Sequence, residues 1–63
     1  MEPEQVAKKI ANMADILAIM RMDLRGLKSQ IPEKYTAEYK DVEESLMTAY
    51  CSMNFLYIFL SSE

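Results

Sequence analysis

The chain has 63 residues, a net charge of −3, one cysteine and no histidine, and 51% of its residues are hydrophobic. This length allows one domain, and the hydrophobic fraction is that of a globular chain rather than a disordered one. The single cysteine excludes an internal disulfide, and the lack of histidine argues against a zinc site. A domain this small buries only about 60% of its unfolded surface, so we expect a partner chain to supply stability.

The first predicted element is a helix over about residues 3–30. Its apolar residues alternate in spacing between four and three, which is a heptad pattern. They are Val6, Ile10, Met13, Leu17, Met20, Leu24, Leu27 and Ile31, with Ile10, Leu17, Leu24 and Ile31 at heptad position a and the others at position d. Pro3 suits the first turn of a helix, and Pro32 ends it because the residue before a proline avoids the α region.

A short connection over about residues 31–35 leads to a second helix over about residues 36–61, with Thr36 as its predicted N-cap. The same spacing returns in Tyr35, Tyr39, Val42, Leu46, Ala49, Met53, Leu56 and Leu60. Short connections join antiparallel neighbours. The sequence therefore predicts an all-α fold, in which residues 1–63 form one two-helix antiparallel hairpin that packs along these heptad seams.

Both helices carry more apolar surface than one seam needs. On helix 1, the small residues Ala7, Ala11, Ala14 and Ala18 form a second stripe along which another helix can approach closely, and residues 45–62 of helix 2 carry no charge. In a hairpin, both zones lie in the half away from the loop, which we call the open half. We expect the open half to pack on helices of a partner, so that dimerisation completes a four-helix bundle, with a hetero-complex as the alternative. The predicted contact anchors are Ile16, Leu17, Ile19, Tyr50, Phe55, Tyr57 and Phe59.

The sequence offers little to catalysis. Glu43 and Glu44 point to different sides of a helix, and Cys51 lies in an apolar stretch without a neighbouring cation, which favours a structural rather than a reactive cysteine. We predict a non-enzymatic protein-interaction module with no catalytic, cofactor or metal site and no small-molecule substrate. Its partner is a second copy of the chain, another helical protein, or both, and its role is that of an adaptor, a chaperone-like partner or a small inhibitor.

Nucleic acid and membrane are the less favoured partners. The chain has a pI of about 4.8, whereas binding to phosphates needs a cationic surface. Serines and Asn54 interrupt the uncharged stretch over residues 45–62, and a membrane span needs about 20 mostly apolar residues. The acidic N-terminus lacks the pattern of a signal peptide, and together with the unpaired cysteine it predicts a cytoplasmic location.

Two known groups of proteins share this layout. In length and in the two-helix architecture that dimerises into a four-helix bundle, the chain resembles the Rop family of plasmid copy-control RNA-binding proteins, which implies an RNA-binding regulatory dimer as an alternative function. In length, acidity, single loop and apolar second helix, it also resembles the small helical-hairpin co-chaperones of type III secretion needle subunits. That resemblance implies a chain that binds another helical protein before export. Both resemblances concern the pattern of the whole chain and no specific motif.

Overall fold

Two long helices that pack against each other make up the protein. The computed structural model describes residues 2–62. Helix α1 spans Pro3–Leu27 and helix α2 spans Thr36–Ser61, and two short 3-10 turns, Lys28–Gln30 and Glu33–Tyr35, connect them. Within residues 2–62 there is no strand. The predicted all-α, two-helix fold is confirmed, and its shape is a rod of 46 × 15 × 14 Å.

The ends of α1 follow from local chemistry. The backbone N–H of Glu2 donates to Oε1 of Gln5 at 3.2 Å, which satisfies a donor just ahead of the first turn. At the other end the α-helical geometry stops at Leu27, three residues before the predicted end, and tightens into the first 3-10 turn. Ile31 then adopts an extended conformation (φ −83°, ψ 123°), as the following Pro32 requires.

The start of α2 differs from the prediction for Thr36. This residue is the first of the helix and Tyr35 holds the capping position, so the predicted N-cap is wrong. The reason is that the 3-10 turn Glu33–Tyr35 runs directly into α2. The hydroxyl of Thr36 therefore donates backwards, to the backbone carbonyl of Glu33 at 2.7 Å, and does not accept a hydrogen bond from the helix that follows.

The helices touch through a face that is rotated from the predicted seams. Among residues 2–62, only Ala7, Ala14 and Tyr39 are buried. The buried and half-buried residues that recur at spacings of three and four define the contact face: Ala7, Ile10, Ala14, Leu17, Arg21 and Leu24 on α1, and Tyr39, Glu43, Leu46, Tyr50 and Met53 on α2. This face keeps the predicted a positions but replaces position d with position e, a rotation of about 50° around each helix.

The alanine stripe explains the rotation. We expected Ala7, Ala11, Ala14 and Ala18 to receive a helix of a partner, and this prediction is wrong, because α2 of the same chain lies against them. Ala7 and Ala14 are each only 4% exposed, and Ala11 and Ala18 are half-buried. Small side chains let the two backbones approach closely, whereas methionines at position d would hold the helices further apart.

Candidate interaction surface

Each helix has a flank on either side of the contact face. Since an α-helix turns by about 100° per residue, position d lies on one side of this face and position b lies on the other. The helices are antiparallel and face each other. The d positions of both helices therefore lie on the same side of the plane through the two axes, and the b positions share the opposite side.

Surface pockets show these two sides directly. At the loop end, Gln30 of the connection lines a pocket of about 370 Å³ together with Tyr35, Glu38 and Val42, which lie at or beside position d. On the opposite side, at the open end, Glu4 and Lys8 of α1 line a cleft with Tyr57 and Ser61 of α2. The second cleft also shows that the start of α1 lies beside the end of α2, as an antiparallel hairpin requires.

The d side is apolar along the whole rod, and we call it the apolar flank. Its residues are Val6, Met13, Met20, Leu27, Tyr35, Val42, Ala49 and Leu56. Apart from Val6 and Ala49, these residues are each between 45% and 49% exposed. The opposite flank mixes charged, polar and small residues with one methionine: Glu4, Ala11, Ala18, Arg25, Lys40, Met47, Asn54 and Ser61. The two flanks occupy equivalent positions on the rod, but only one of them is apolar along its whole length. The apolar flank is therefore the candidate binding surface.

The seven predicted contact anchors do not form a single surface. Leu17 and Tyr50 are half-buried in the contact face, and Tyr57 continues the spacing of that face at 39% exposure. The remaining four are more exposed, at 57% to 67%. Ile16 and Phe59 lie at heptad position g, at the border of the apolar flank. Ile19 and Phe55 lie at position c, on the outer sides of the two helices, and point in opposite directions. These four anchors therefore belong to at least three separate regions of the surface.

Sequence reasoning missed the methionines and aliphatic residues of the apolar flank as surface residues. Met13, Met20, Val42 and Leu56 all fit the heptad pattern, which predicts them in the interior of the hairpin. The signal that could have found them was the alanine stripe. A row of alanines beside position a offers a second, tighter contact face, and its use by α2 leaves position d without a neighbour.

Polar chemistry in the described part of the chain is sparse. The guanidinium carbon of Arg21 lies 5.9 Å from the centre of the Tyr50 ring, which is within the range of a cation–π contact. The hydroxyl of Tyr39 donates to Oε2 of Glu43 at 3.3 Å. Burial raises the pKa of Tyr39, the neighbouring Glu43 carboxylate raises it further, and Arg25 opposes both effects. The Arg21–Tyr50 contact joins the two helices, the Tyr39–Glu43 hydrogen bond lies within α2, and neither assembles a nucleophile with a base.

Residues 2–62 also lack the features of a metal site and of a membrane span. No group of three or more acidic or cysteine side chains is placed to hold a metal ion there. Neither helix is long and apolar enough to cross a membrane. Comparison of the chain with protein-family models, with curated proteins and with solved structures finds no match in any of the three. Function is therefore inferred from the surfaces of the hairpin.

Proposed function

We propose that this chain is a non-catalytic protein-interaction module that binds α-helices of another chain alongside its own hairpin. The observation that carries this proposal is the exposed area. The chain exposes 5124 Å² of solvent-accessible surface, whereas the size scaling of monomeric proteins gives about 4,200 Å² for a mass of 7.3 kDa. The surplus of about 900 Å² is close to what one partner buries in a standard protein interface, about 800 Å².

The chemistry of the exposed surface supports the same proposal. Fourteen large apolar side chains are exposed, against three buried residues among residues 2–62. Monomeric proteins rarely expose contiguous apolar patches of more than a few hundred Å², and larger patches mark interaction sites. Helices are the partner that suits this surface, because rows of side chains at helical spacing pack into the grooves of another helix.

Two further helices would cover the apolar flank from end to end, which completes a four-helix bundle. A second helical hairpin supplies both at once, either as another copy of this chain or as part of a different protein. An adaptor, a chaperone-like partner and an inhibitor all act in this way, by burying a helical surface. The unpaired thiol of Cys51 is exposed and suits a reducing compartment such as the cytoplasm.

Sedimentation equilibrium without detergent, combined with thermal unfolding at several protein concentrations, tests the proposal. A dimer or larger assembly whose unfolding midpoint rises with protein concentration supports it, because association stabilises the folded state. A poorly helical monomer that gains helicity on adding a helical partner also supports it. A fully helical monomer that unfolds cooperatively at a midpoint independent of concentration would refute it, since the hairpin would then be stable with its apolar surface bare.

A further inference from the structure

We propose that the apolar flank binds the apolar flank of a second copy of this chain, with the two loops at opposite ends of the resulting four-helix bundle. This inference rests on the proposed function and specifies its surface and its partner. The surplus of about 900 Å² in exposed area allows a standard interface on one side of the rod. The apolar flank is the side on which both helices present apolar residues over their whole length.

The level of each residue along the rod follows from the cleft at the open end. Lys8 of α1 and Tyr57 of α2 line this cleft together. Ile16 comes eight residues after Lys8, and Ala49 comes eight residues before Tyr57. Because the two helices are antiparallel and rise equally per residue, Ile16 and Ala49 lie at about the same level, near the middle of the rod.

A two-fold axis at this level makes α1 self-complementary in charge. With the loops at opposite ends, α1 lies antiparallel beside α1 of the second copy, and their g positions face each other. Ile16 then meets its own counterpart. Lys9 and Asp23 lie at position g, seven residues before and seven residues after Ile16, so Lys9 of each copy faces Asp23 of the other. Flanking charges of this kind determine which helices pair and in which orientation.

The same axis makes α2 self-complementary in shape. Ala49 lies on the axis, and the d positions Val42 and Leu56 are seven residues before and after it. Val42 of each copy therefore packs on Leu56 of the other. At position g, Ser45 faces Ser52, and Glu38 faces Phe59, so like charges do not meet there. One axis thus suits both helices, although their sequences differ.

The arrangement with both loops at the same end lacks this complementarity. There, α1 lies beside α2 of the second copy, and the same levels bring Lys9 to the level of Leu56 and Asp23 to the level of Val42. The nearest g positions of α2 are then Ser52 and Phe59 for Lys9, and Glu38 and Ser45 for Asp23. Both charges lose their partners, and Asp23 comes near the like charge of Glu38. The charge pattern therefore selects the arrangement with the loops at opposite ends.

The first test is the mass of variants by sedimentation equilibrium, with helicity followed by circular dichroism. We expect Met20→Glu and Val42→Glu, both on the apolar flank, to dissociate the dimer. Phe55→Glu is the matched control, because Phe55 is more exposed than either residue but lies on the outer side of α2; this variant should stay dimeric. Dissociation by Phe55→Glu alone would overturn the assignment of the surface.

A charge exchange tests the partner without any change in apolar packing. Lys9→Asp creates two like-charge pairs in the dimer, because an acidic side chain at position 9 of each copy then faces Asp23 of the other. We expect this variant to weaken dimerisation about tenfold at low salt, since each pair is a surface pair of modest strength. The double variant Lys9→Asp with Asp23→Lys restores opposite charges and should return to within about twofold of the original affinity. No rescue by the double variant would overturn the opposite-end arrangement.

Disulfide trapping tests the axis. In a Cys51→Ser background, Ile16→Cys should form an intermolecular disulfide in a mild redox buffer, because the two copies of residue 16 meet across the axis. Ile19→Cys, on the outer side of the same helix, should remain reduced. A dimer that resists Met20→Glu and is not trapped by Ile16→Cys overturns this inference and leaves the proposed function intact. A stable, fully helical monomer overturns both.

Discussion

The guanidinium carbon of Arg21 in α1 lies 5.9 Å from the ring centre of Tyr50 in α2. Both side chains are half-buried, and they join the helices in the middle of the contact face. Arg21 follows Ala7 and Ala14 at the same seven-residue spacing on α1, and its charge reaches the ring of the second helix. This contact favours one relative orientation of the two helices, whose contact face otherwise consists largely of small and aliphatic side chains.

A double-mutant cycle measures the strength of this contact. We expect Arg21→Met and Tyr50→Leu to show a coupling free energy of about 0.5–1 kcal/mol, the usual range for an exposed to partly buried cation–π contact. Urea denaturation at a single protein concentration gives the four unfolding free energies that the cycle needs. Arg25→Met with Tyr50→Leu is the control pair and should show no coupling. Equal coupling in both pairs would contradict the specific contact.

Ala14 tests the close approach of the helices. Ala14→Leu adds a branched side chain at a position that is 4% exposed, and we expect it to destabilise the fold by about 1–3 kcal/mol, as overpacking does. Ala37→Leu is the matched control, since Ala37 is exposed, and it should change stability by less than about 0.5 kcal/mol. The measurement is the midpoint of urea unfolding. Equal effects at the two positions would show that α2 does not lie against the alanine stripe.

Gly26 is a position where stability can be gained. It lies in the last turn of α1, and a Cβ atom added there would meet nothing within 4 Å apart from its chain neighbours and the nearby backbone of its own helix. Alanine loses less backbone entropy than glycine on folding, so Gly26→Ala should stabilise the protein by about 0.5–1 kcal/mol. Thermal unfolding at constant protein concentration measures the gain. A loss of stability would indicate that the end of α1 needs the freedom of glycine.

Tyr39 predicts how stability changes in alkaline solution. Because burial raises its pKa, with Glu43 adding to this effect and Arg25 opposing it, the fold favours the neutral phenol. Its contribution is fully present below the ordinary tyrosine pKa of about 10 and is lost as the pH rises through the higher pKa of the folded state. We expect the unfolding free energy to fall less between about pH 9 and 12 for Tyr39→Phe than for the unaltered chain.

Urea unfolding across this pH range measures the difference, and Tyr35→Phe is the matched control. Tyr35 is 48% exposed, and its removal should leave the alkaline loss of stability as it is in the unaltered chain. If Tyr35→Phe reduced that loss as much as Tyr39→Phe, the alkaline sensitivity would not come from the buried phenol.

The two helices, the turn between them and the a positions of their contact face follow from the sequence alone. Heptad spacing, Pro3 and Pro32 predict both elements and the turn between them, and the a positions such as Leu17 and Leu46 lie in the contact face as predicted. Local chemistry suffices for these features, because helix periodicity and proline geometry act within a few residues of the chain. The capping of α2 was less predictable, since it depends on a 3-10 turn that tightens the preceding residues.

Which side of the a positions faces the other helix depends on how the two helices pack. Within α1, the alanines on one side and the methionines on the other are equally plausible neighbours for α2, and each set forms a regular row. The choice depends on what lies opposite: by their level along the rod, bulky Tyr50 and Tyr57 of α2 lie against the row of small residues, and Tyr57 lines a cleft with Ala7. Packing the alanines inside the hairpin left Met13 and Met20 about half exposed. The apolar flank is therefore a consequence of how closely the two helices approach each other, and neither helix reveals it alone.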